Sequence, residues 1–585
     1  MNLQHLLEAR FQLALTGLVA TPEEYTGLVK PTRDPKHGDY QANLAMPLAK
    51  ALNQKPRDVA TALITKLNYA DCLETPEVAG PGFINLRFKN GWLGQALAQL
   101  ASDDRLGVAK VAEPKRIVID YSSPNVAKPL HVGHLRSTII GDALTRLLRF
   151  LGHTVITDNH LGDWGTQFGI LIWGFKNFRD EAALEADPVR ELLRIYVLVR
   201  EKIKAAGAAA GDEEEEANNP VAEACRLETA KLHAGDAENV NLWKRMMPWC
   251  LEELNQLYRR MGVLPFDHTL GESFYNPELA EIVADLEAKG IATPSRGALA
   301  IFFGENEPPA LVRKGDGAFT YTTTDLATIR HRANVFKADL SLYVVDKRQA
   351  LHFKQLFTAA KRWGFDQIAL MHIAFGTVLG EDGTPLKARD GKAQELAPLF
   401  DEAVAEARKI IDANSPELSD EERGRVAEMV GVGAVKYADL SQNRISDYVF
   451  SWPKMLAMDG NTATYMQYAY ARVQSIFRKG NVDPVSVRRT AVAPGLETAE
   501  ERALALQLLR LPEALAMAAQ DYAPNGVTSY LWDLAKSYSG FFQKCPVLKA
   551  PTPELRAGRL LLSDLTGRAL KLGLDLLGIQ TPERM

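Results

Sequence analysis

Cysteine is scarce in this chain of 585 residues: Cys72, Cys225, Cys250 and Cys545 lie far apart with no paired spacing. That argues against a disulfide scaffold and a Cys-rich zinc site, and for a reducing, cytoplasmic setting. No uninterrupted apolar run is long enough to span a bilayer, so no membrane partner is expected. The opening "MNLQHLLEARFQLAL" carries Glu8 and Arg10 inside its apolar pattern, which reads as an amphipathic helix rather than a signal peptide. Neither G-x-x-x-x-G-K-[ST] nor G-x-G-x-x-G occurs, so the usual phosphate-binding fingerprints are missing. Nor is charge of one sign in large excess. The formal net charge is -5, although residues 461–585 hold 15 Lys+Arg against 11 Asp+Glu. A mildly basic end on an acidic body permits a polyanion partner without requiring one. Internal repeats and low-complexity tracts are also lacking.

What remains is an ordinary globular composition, 46% hydrophobic and 24% charged, in a chain too long for one core. Residues 1–112 alternate helical and strand-like patterns and include the strand-like Phe83-Ile84-Asn85-Leu86-Arg87-Phe88. A short apolar strand, Arg116 to Tyr121, opens the next unit. After a loop, Leu135, Ile139, Ala143, Leu147 and Leu151 recur every four residues as a helix stripe that Gly152 stops. "HTVITDN" is the following strand. This β-loop-α-β unit predicts an α/β domain over 113–393 with a Rossmann-like parallel sheet, its ligands at the strand C-termini. A long helical, charged insertion near 175–300 splits that sheet, and its acidic run 212–216 reads as a solvated loop. "AFTYTTTDLATIRHR" is expected to begin as a strand and turn helical near Thr324-Asp325. From 394 the pattern is helical: a connector over 394–455, then an all-α domain over 456–585. The N-terminal domain is α+β.

The stretch "PLHVGHLR" places His131 and His134 at the start of the helix after the first strand. Three-residue spacing puts them on one face, at the end where unsatisfied N–H groups and the helix dipole favour an anion. Imidazoles there donate hydrogen bonds to phosphate, and Gly133, without a Cβ, lets a flat ring approach the backbone. Metal ligation would want a third ligand, and none is obviously aimed, so no metal site is expected. An inert pair is the default for "HVGH" alone; the strand before it and the helix after it point to ATP.

"SSPNVAKPLHVGH" resembles the HIGH-motif region of class I aminoacyl-tRNA synthetases, and specifically that of the arginyl-tRNA synthetase family. The resemblance continues through "DNHLGDWGTQFG", "YTTTDLA", "VVDKRQALHFKQLF", "VGVGAVKYADLSQNR" and "DGNTATYMQYAYARVQSI" to the closing "GLDLLGIQTPERM". It implies ATP-dependent activation of L-arginine and transfer to the 3′ end of tRNA(Arg), with Mg²⁺ accompanying ATP, no zinc, and a monomeric enzyme that needs tRNA for activation. It also assigns residues. His131 and His134 serve the phosphates, with Pro129, Leu130, Val132, Gly133 and His352 lining the ATP side. Asp120, Ser123, Pro124, Asn125 and His134 hold the amino-acid end of arginine. Asp325 holds the guanidinium, whose five donors match a carboxylate, and Tyr321 and Gln349 are further arginine contacts. One departure stands out: class I enzymes carry a second lysine in a mobile Lys-Met-Ser-Lys-Ser loop, and here Lys387-Ala388-Arg389 puts alanine in its place. Lys128 resembles the substitute, with Lys387 and Arg389 as helpers. Phe83 and Asn85 resemble readers of a D-loop base, and Asn461, Tyr465, Tyr468 and Arg472 resemble the segment that meets the anticodon arm. Read without that resemblance, Asp325 is a helix cap, Tyr321 a packed strand residue, and Tyr465 and Tyr468 core residues. Two other readings, a non-catalytic RNA-binding relative and a cysteinyl enzyme, call for a damaged site or a zinc-bound thiolate site.

Overall fold

The computed structural model of the chain describes residues 2–32, 34–126, 129–207, 219–386 and 394–585. The acidic run 212–216 and the three basic residues Lys128, Lys387 and Arg389 lie outside them. No helix among the described residues is long and apolar enough to cross a membrane.

The N-terminal region packs the helices Leu3–Leu15, Ala45–Leu52 and Pro56–Lys66 with a four-stranded antiparallel sheet. Its strands are β1 (Val29–Pro31), β2 (Tyr40–Ala42), β3 (Glu77–Ala79) and β4 (Phe83–Leu86), in spatial order β1-β2-β4-β3. Alternation in β4 buries Ile84 and Leu86 completely, the behaviour of a strand with one face on a core.

The central sheet is parallel and split. β5 (Arg116–Asp120) and β6 (Thr154–Asp158) form one half, β10 (Leu340–Tyr343) and β11 (Ala369–His372) the other, in spatial order β11-β10-β5-β6. Between β5 and β6 runs the helix Val132–Phe150, flanked on all sides: Leu135, Ile139, Leu144 and Leu147 are at most 2% exposed. Each such side chain contributes about 1.5–3 kcal/mol of burial. Even its charges are interior. Arg136 pairs with Asp439 at 3.0 Å and donates to the Ser446 carbonyl at 2.9 Å, fastening this helix to the one over Asp420–Leu440. Gly141 is needed where it stands, because a Cβ there would run into the Tyr121 ring.

The insertion between the half-sheets is helical as far as Ala288, but its end is a three-stranded antiparallel sheet: β7 (Ala292–Ser295), β8 (Ala298–Ile301) and β9 (Ala310–Arg313). The segment expected to begin as a strand at 318–324 does not. The helix already starts at Tyr321 after the N-cap Thr320. Its run of threonines around Tyr321, over 320–324, carries strand propensity, yet the Thr320 and Thr323 hydroxyls donate to carbonyls of β9. Those bonds moor the first turn of a helix to the sheet edge, a tertiary contact that overrides local preference. β12 (Val378–Leu379) and β13 (Tyr448–Val449) make a two-residue parallel ladder, the one strand pair among the described residues that reaches beyond residue 394.

The N-terminal sheet and the C-terminal helices share a buried junction. Arg502 grips Asp39 with both terminal nitrogens at 2.8 Å and donates to the Phe88 carbonyl and Asn90. Next to it, the Tyr40 hydroxyl donates to Glu513 at 2.6 Å, and burial pushes the Glu513 carboxyl up. Asp39 is 4% exposed, so removing its partner strands a buried charge. Arg502→Ala is expected to cost about 3–5 kcal/mol of stability, read by denaturant unfolding, with Arg502→Lys recovering part of it; a loss under about 1 kcal/mol would show the junction to be dispensable.

Candidate active site

The loop leaving β5 is built under strain. Ser122 and Ser123 both have positive φ, 68° and 46°, a region that costs non-glycine residues of order 1–3 kcal/mol each and persists only when its surroundings impose it. They do impose it. The Ser122 N–H donates to Ser137 Oγ at 2.9 Å, its hydroxyl shares a 2.7 Å bond with the Tyr258 hydroxyl, and the Ser123 N–H donates to Asn159 Oδ1 at 3.0 Å. The outcome aims the Ser123 hydroxyl at Asp120 Oδ1, 2.7 Å away. Pro124 is buried and Asn125 exposed, facing Gly162, where a Cβ would collide with Asn125 Oδ1. Asp120 is buried at the end of β5 and also accepts from Arg332 at 2.7 Å. Although it ends a strand, it does not face solvent.

His131 is the N-cap of the Val132–Phe150 helix. Its Nδ1 accepts the Gly133 N–H at 3.0 Å, and the His131 N–H donates to Nδ1 of His134 at 3.2 Å, a reciprocal capping box made from two imidazoles. The rings stand 4.0 Å apart. In a neutral ring an accepting Nδ1 leaves the proton on Nε2, so each histidine presents a donor from the positive end of the helix. The ring that lies against Gly133 belongs to His131: a Cβ on Gly133 would come within 2.8 Å of it. Leu130 and Val132 are buried and Pro129 is half-buried. The backbone of this stretch is strapped to the segment after 393, since Leu396 N–H donates to the Leu130 carbonyl at 2.9 Å and Val132 N–H to the Gln394 carbonyl at 2.8 Å.

From the second half-sheet come Asp325 and Tyr321, one turn apart on the helix Tyr321–Asn334. Tyr321 is 67% exposed, a reaching rather than a packed residue. Asp325 Oδ2 lies 2.7 Å from Nε2 of His352, whose ring also meets Tyr321 edge-on at 5.0 Å. His352, expected on the ATP side, is thus held against Asp325. Gln349 is exposed and three residues before His352, ending the 3-10 turn Lys347–Gln349 that leads into helix Ala350–Trp363. Glu272 carries no signal in the sequence. Its carboxyl, pushed up by burial, feels His160, Asp163 and Asp325 and accepts from the Trp164 N–H. It is the first residue of a short helix after "TLG", a position that carries no cue to chemistry.

Of the residues expected to meet RNA, Phe83 is half-buried and Asn85 accepts from Gln41 at 2.8 Å across β2 and β4. Asn461 accepts the Tyr437 hydroxyl at 2.6 Å, and Tyr465 bonds Ser539 at 2.9 Å with its ring against Trp532. Tyr468 is different. Arg472 lies over its ring at 4.7 Å and over Phe542 at 5.0 Å, at one wall of a groove of about 880 Å³ that Arg478, Lys479, Lys549 and Arg584 also line.

Nucleotide binding at a helix mouth without a glycine-rich loop, on a parallel sheet interrupted by an insertion, is the arrangement of class I aminoacyl-tRNA synthetases. Residues 96–452 match the family described as tRNA synthetases class I (R), catalytic domain; residues 3–88 match the arginyl tRNA synthetase N-terminal domain, and 466–585 the DALR anticodon binding domain. The chain belongs to the arginyl-tRNA synthetase family. It is 44% identical to an arginine–tRNA ligase of Rhodopirellula baltica and 43% identical to one of Escherichia coli O157:H7, each match covering 100% of both chains. Among solved structures it resembles the Thermus thermophilus arginyl-tRNA synthetase, at 26% identity and a TM-score of 0.82 over 100% of both chains. The Plasmodium falciparum enzyme matches at 26% and 0.81, over 100% of this chain and 99% of that one.

Proposed function

We propose that the site just described activates L-arginine with MgATP and passes it to the 3′ end of tRNA(Arg), each residue in the role its surroundings allow. An arginine carboxylate oxygen attacks the α-phosphorus of ATP, the P–O bond to pyrophosphate breaks, and arginyl-adenylate forms. A terminal ribose hydroxyl of tRNA then attacks the acyl carbonyl, and AMP leaves with the bonding pair. Such in-line chemistry needs positioning and charge neutralisation more than covalent help.

The observations that carry this reading are the reciprocal cap that His131 and His134 make at the mouth of one helix, and Asp325 held by His352 at 2.7 Å on the helix that leads into the other half-sheet. The histidines meet the phosphates. Asp325 takes the guanidinium, with Glu272 as a second carboxylate and Tyr321 and Gln349 at its rim. Asp120, Ser123, Pro124 and Asn125 receive the amino-acid end. His352 orients Asp325. Lys128, Lys387 and Arg389 supply point charges to the triphosphate. Among the described residues no cluster of three or more His, Cys, Asp or Glu forms a metal cage. Mg²⁺ holds few protein ligands in such reactions and travels with the phosphates, so it enters as part of MgATP.

For the polymer, Phe83 and Asn85 sit on the sheet of the domain over 1–112, and the groove beside Tyr468 and Arg472 offers aromatic faces under a cation, a surface on which unpaired bases stack. Asn461 and Tyr465 support that groove from within. The catalytic domain spans 113–393, a helical connector 394–455, and the anticodon-binding domain 456–585. The enzyme works as a monomer in the cytoplasm, a setting in keeping with four buried cysteines that form no disulfide. Pyrophosphate exchange across the amino acids, with and without tRNA, tests the whole. Exchange is expected with arginine alone and only when tRNA is present; exchange with another amino acid, or with none, overturns it.

A further inference from the structure

Beneath the amino-acid end of the site lies a group of charges that the roles above leave unused. Asp120 and Asp158 end neighbouring strands in register on β5 and β6. Both are buried, and both face one guanidinium: Nη2 of Arg332 reaches Asp120 Oδ2 at 2.7 Å and Asp158 Oδ2 at 2.8 Å. Arg332 is fully buried, its Cζ 4.9 Å over the ring of Tyr343, and its Nε and Nη1 have no hydrogen-bond partner. It stands seven residues after Asp325 on the same helix, two turns along and on the same face. The helix that carries the guanidinium acid is thus pinned by its own arginine to the strand ends that carry the amine acid.

One cation against two carboxylates leaves the buried triad with a residual charge of -1. A buried charge is costly unless something pairs it. His331 and His268 lie near Asp158, and burial pulls the His331 pKa below the usual histidine value, which disfavours a charged ring there. The remaining approach is from Asp120 Oδ1, where the Ser123 hydroxyl already donates. We infer that Arg332 and Asp158 are positioning residues that act through Asp120: together they set a single uncompensated negative charge at the strand ends, which the α-ammonium of arginine neutralises on binding. This rests on the placement of arginine between Asp120 and Asp325 proposed above.

The test compares arginine with δ-guanidinovalerate, which keeps the carboxylate and guanidinium but lacks the amine, in tRNA-dependent pyrophosphate exchange by the full chain. Asp158→Asn keeps the shape of the side chain and makes the triad neutral. It should raise KM for arginine about tenfold, about 1.4 kcal/mol of ammonium binding, with KM for ATP and the inhibition constant of δ-guanidinovalerate unchanged within twofold. Arg332→Lys keeps the charge count and should stay within about threefold of the parent for both ligands. If Asp158→Asn leaves arginine alone, or weakens both ligands by one common factor, the inference falls. If Asp158→Asn does not fold, an Arg332→Lys protein that melts like the parent yet loses both ligands equally also overturns it. Asp325→Asn serves as the separate control: it must weaken both ligands, and if it weakens neither, the placement of arginine fails, whatever Asp158 does.

Discussion

Asp325→Ala is expected to abolish practical use of arginine, lowering kcat/KM for arginine by roughly two to four orders of magnitude (~3–5 kcal/mol). The carboxylate lies half-buried, bonded to Nε2 of His352 at 2.7 Å. A guanidinium entering this cleft finds in it the acceptor its fork requires, and losing one partner of a desolvated charge pair leaves the other unpaired. Truncation therefore removes an attraction and adds a penalty. The surfaces proposed above to meet tRNA, on β4 and in the groove beside Tyr468, are not on the helix that carries Asp325, so tRNA binding measured by filter retention should stay within twofold. Arginine kinetics within tenfold of the parent would sink the assignment, and a parallel loss of tRNA affinity would mean that the variant is misfolded rather than blind to its substrate.

The second large effect comes from the two histidines, and the capping geometry allows it to be measured cleanly. Histidine is not a preferred N-cap residue, whereas asparagine is, and glutamine is the usual partner at the third helical position. Asn at 131 and Gln at 134 can take over the hydrogen bonds made by Nδ1 of the two rings, while neither supplies an imidazole Nε2 for the phosphate contact proposed above. His131→Asn and His134→Gln should each retain the parent's melting temperature within a few degrees while kcat falls about 100- to 1,000-fold, the magnitude of a lost transition-state donor. A variant that keeps both stability and kcat would show its ring to be a cap and nothing more.

Legibility in the order of amino acids differs from element to element. The Val132–Phe150 helix is legible because its apolar residues repeat locally and Gly152 ends it with φ 99°. β5 and β6 are legible as short apolar runs. The Thr320–Thr324 segment misleads because what makes it helical is a pair of hydroxyls bonded to β9, a contact that no local window contains. The same holds for the site. "SSPNVAKPLHVGH" carries its chemistry in consecutive residues, and Asp325 stands out beside Tyr321. Arg332 meets Asp120 across 212 positions of chain, and in "TIRHR" it reads as one more charge on a solvated face. Glu272 likewise becomes visible only when folding places it beside Asp163, His160 and Asp325. His352 shows another case: its contact with Asp325 spans 27 positions of chain and is not visible in either local stretch.

The shared junction between Asp39, Arg502, Tyr40 and Glu513 has a practical corollary for anyone dissecting the molecule. Cutting the gene between its first and last regions would leave an aspartate and a glutamate on one fragment's or the other's raw face, each made for a counterpart that is no longer there. The N-terminal and C-terminal regions are not exchangeable cassettes hung on an engine; they are halves of one clasp, and swapping either for a foreign version requires carrying its opposite half along.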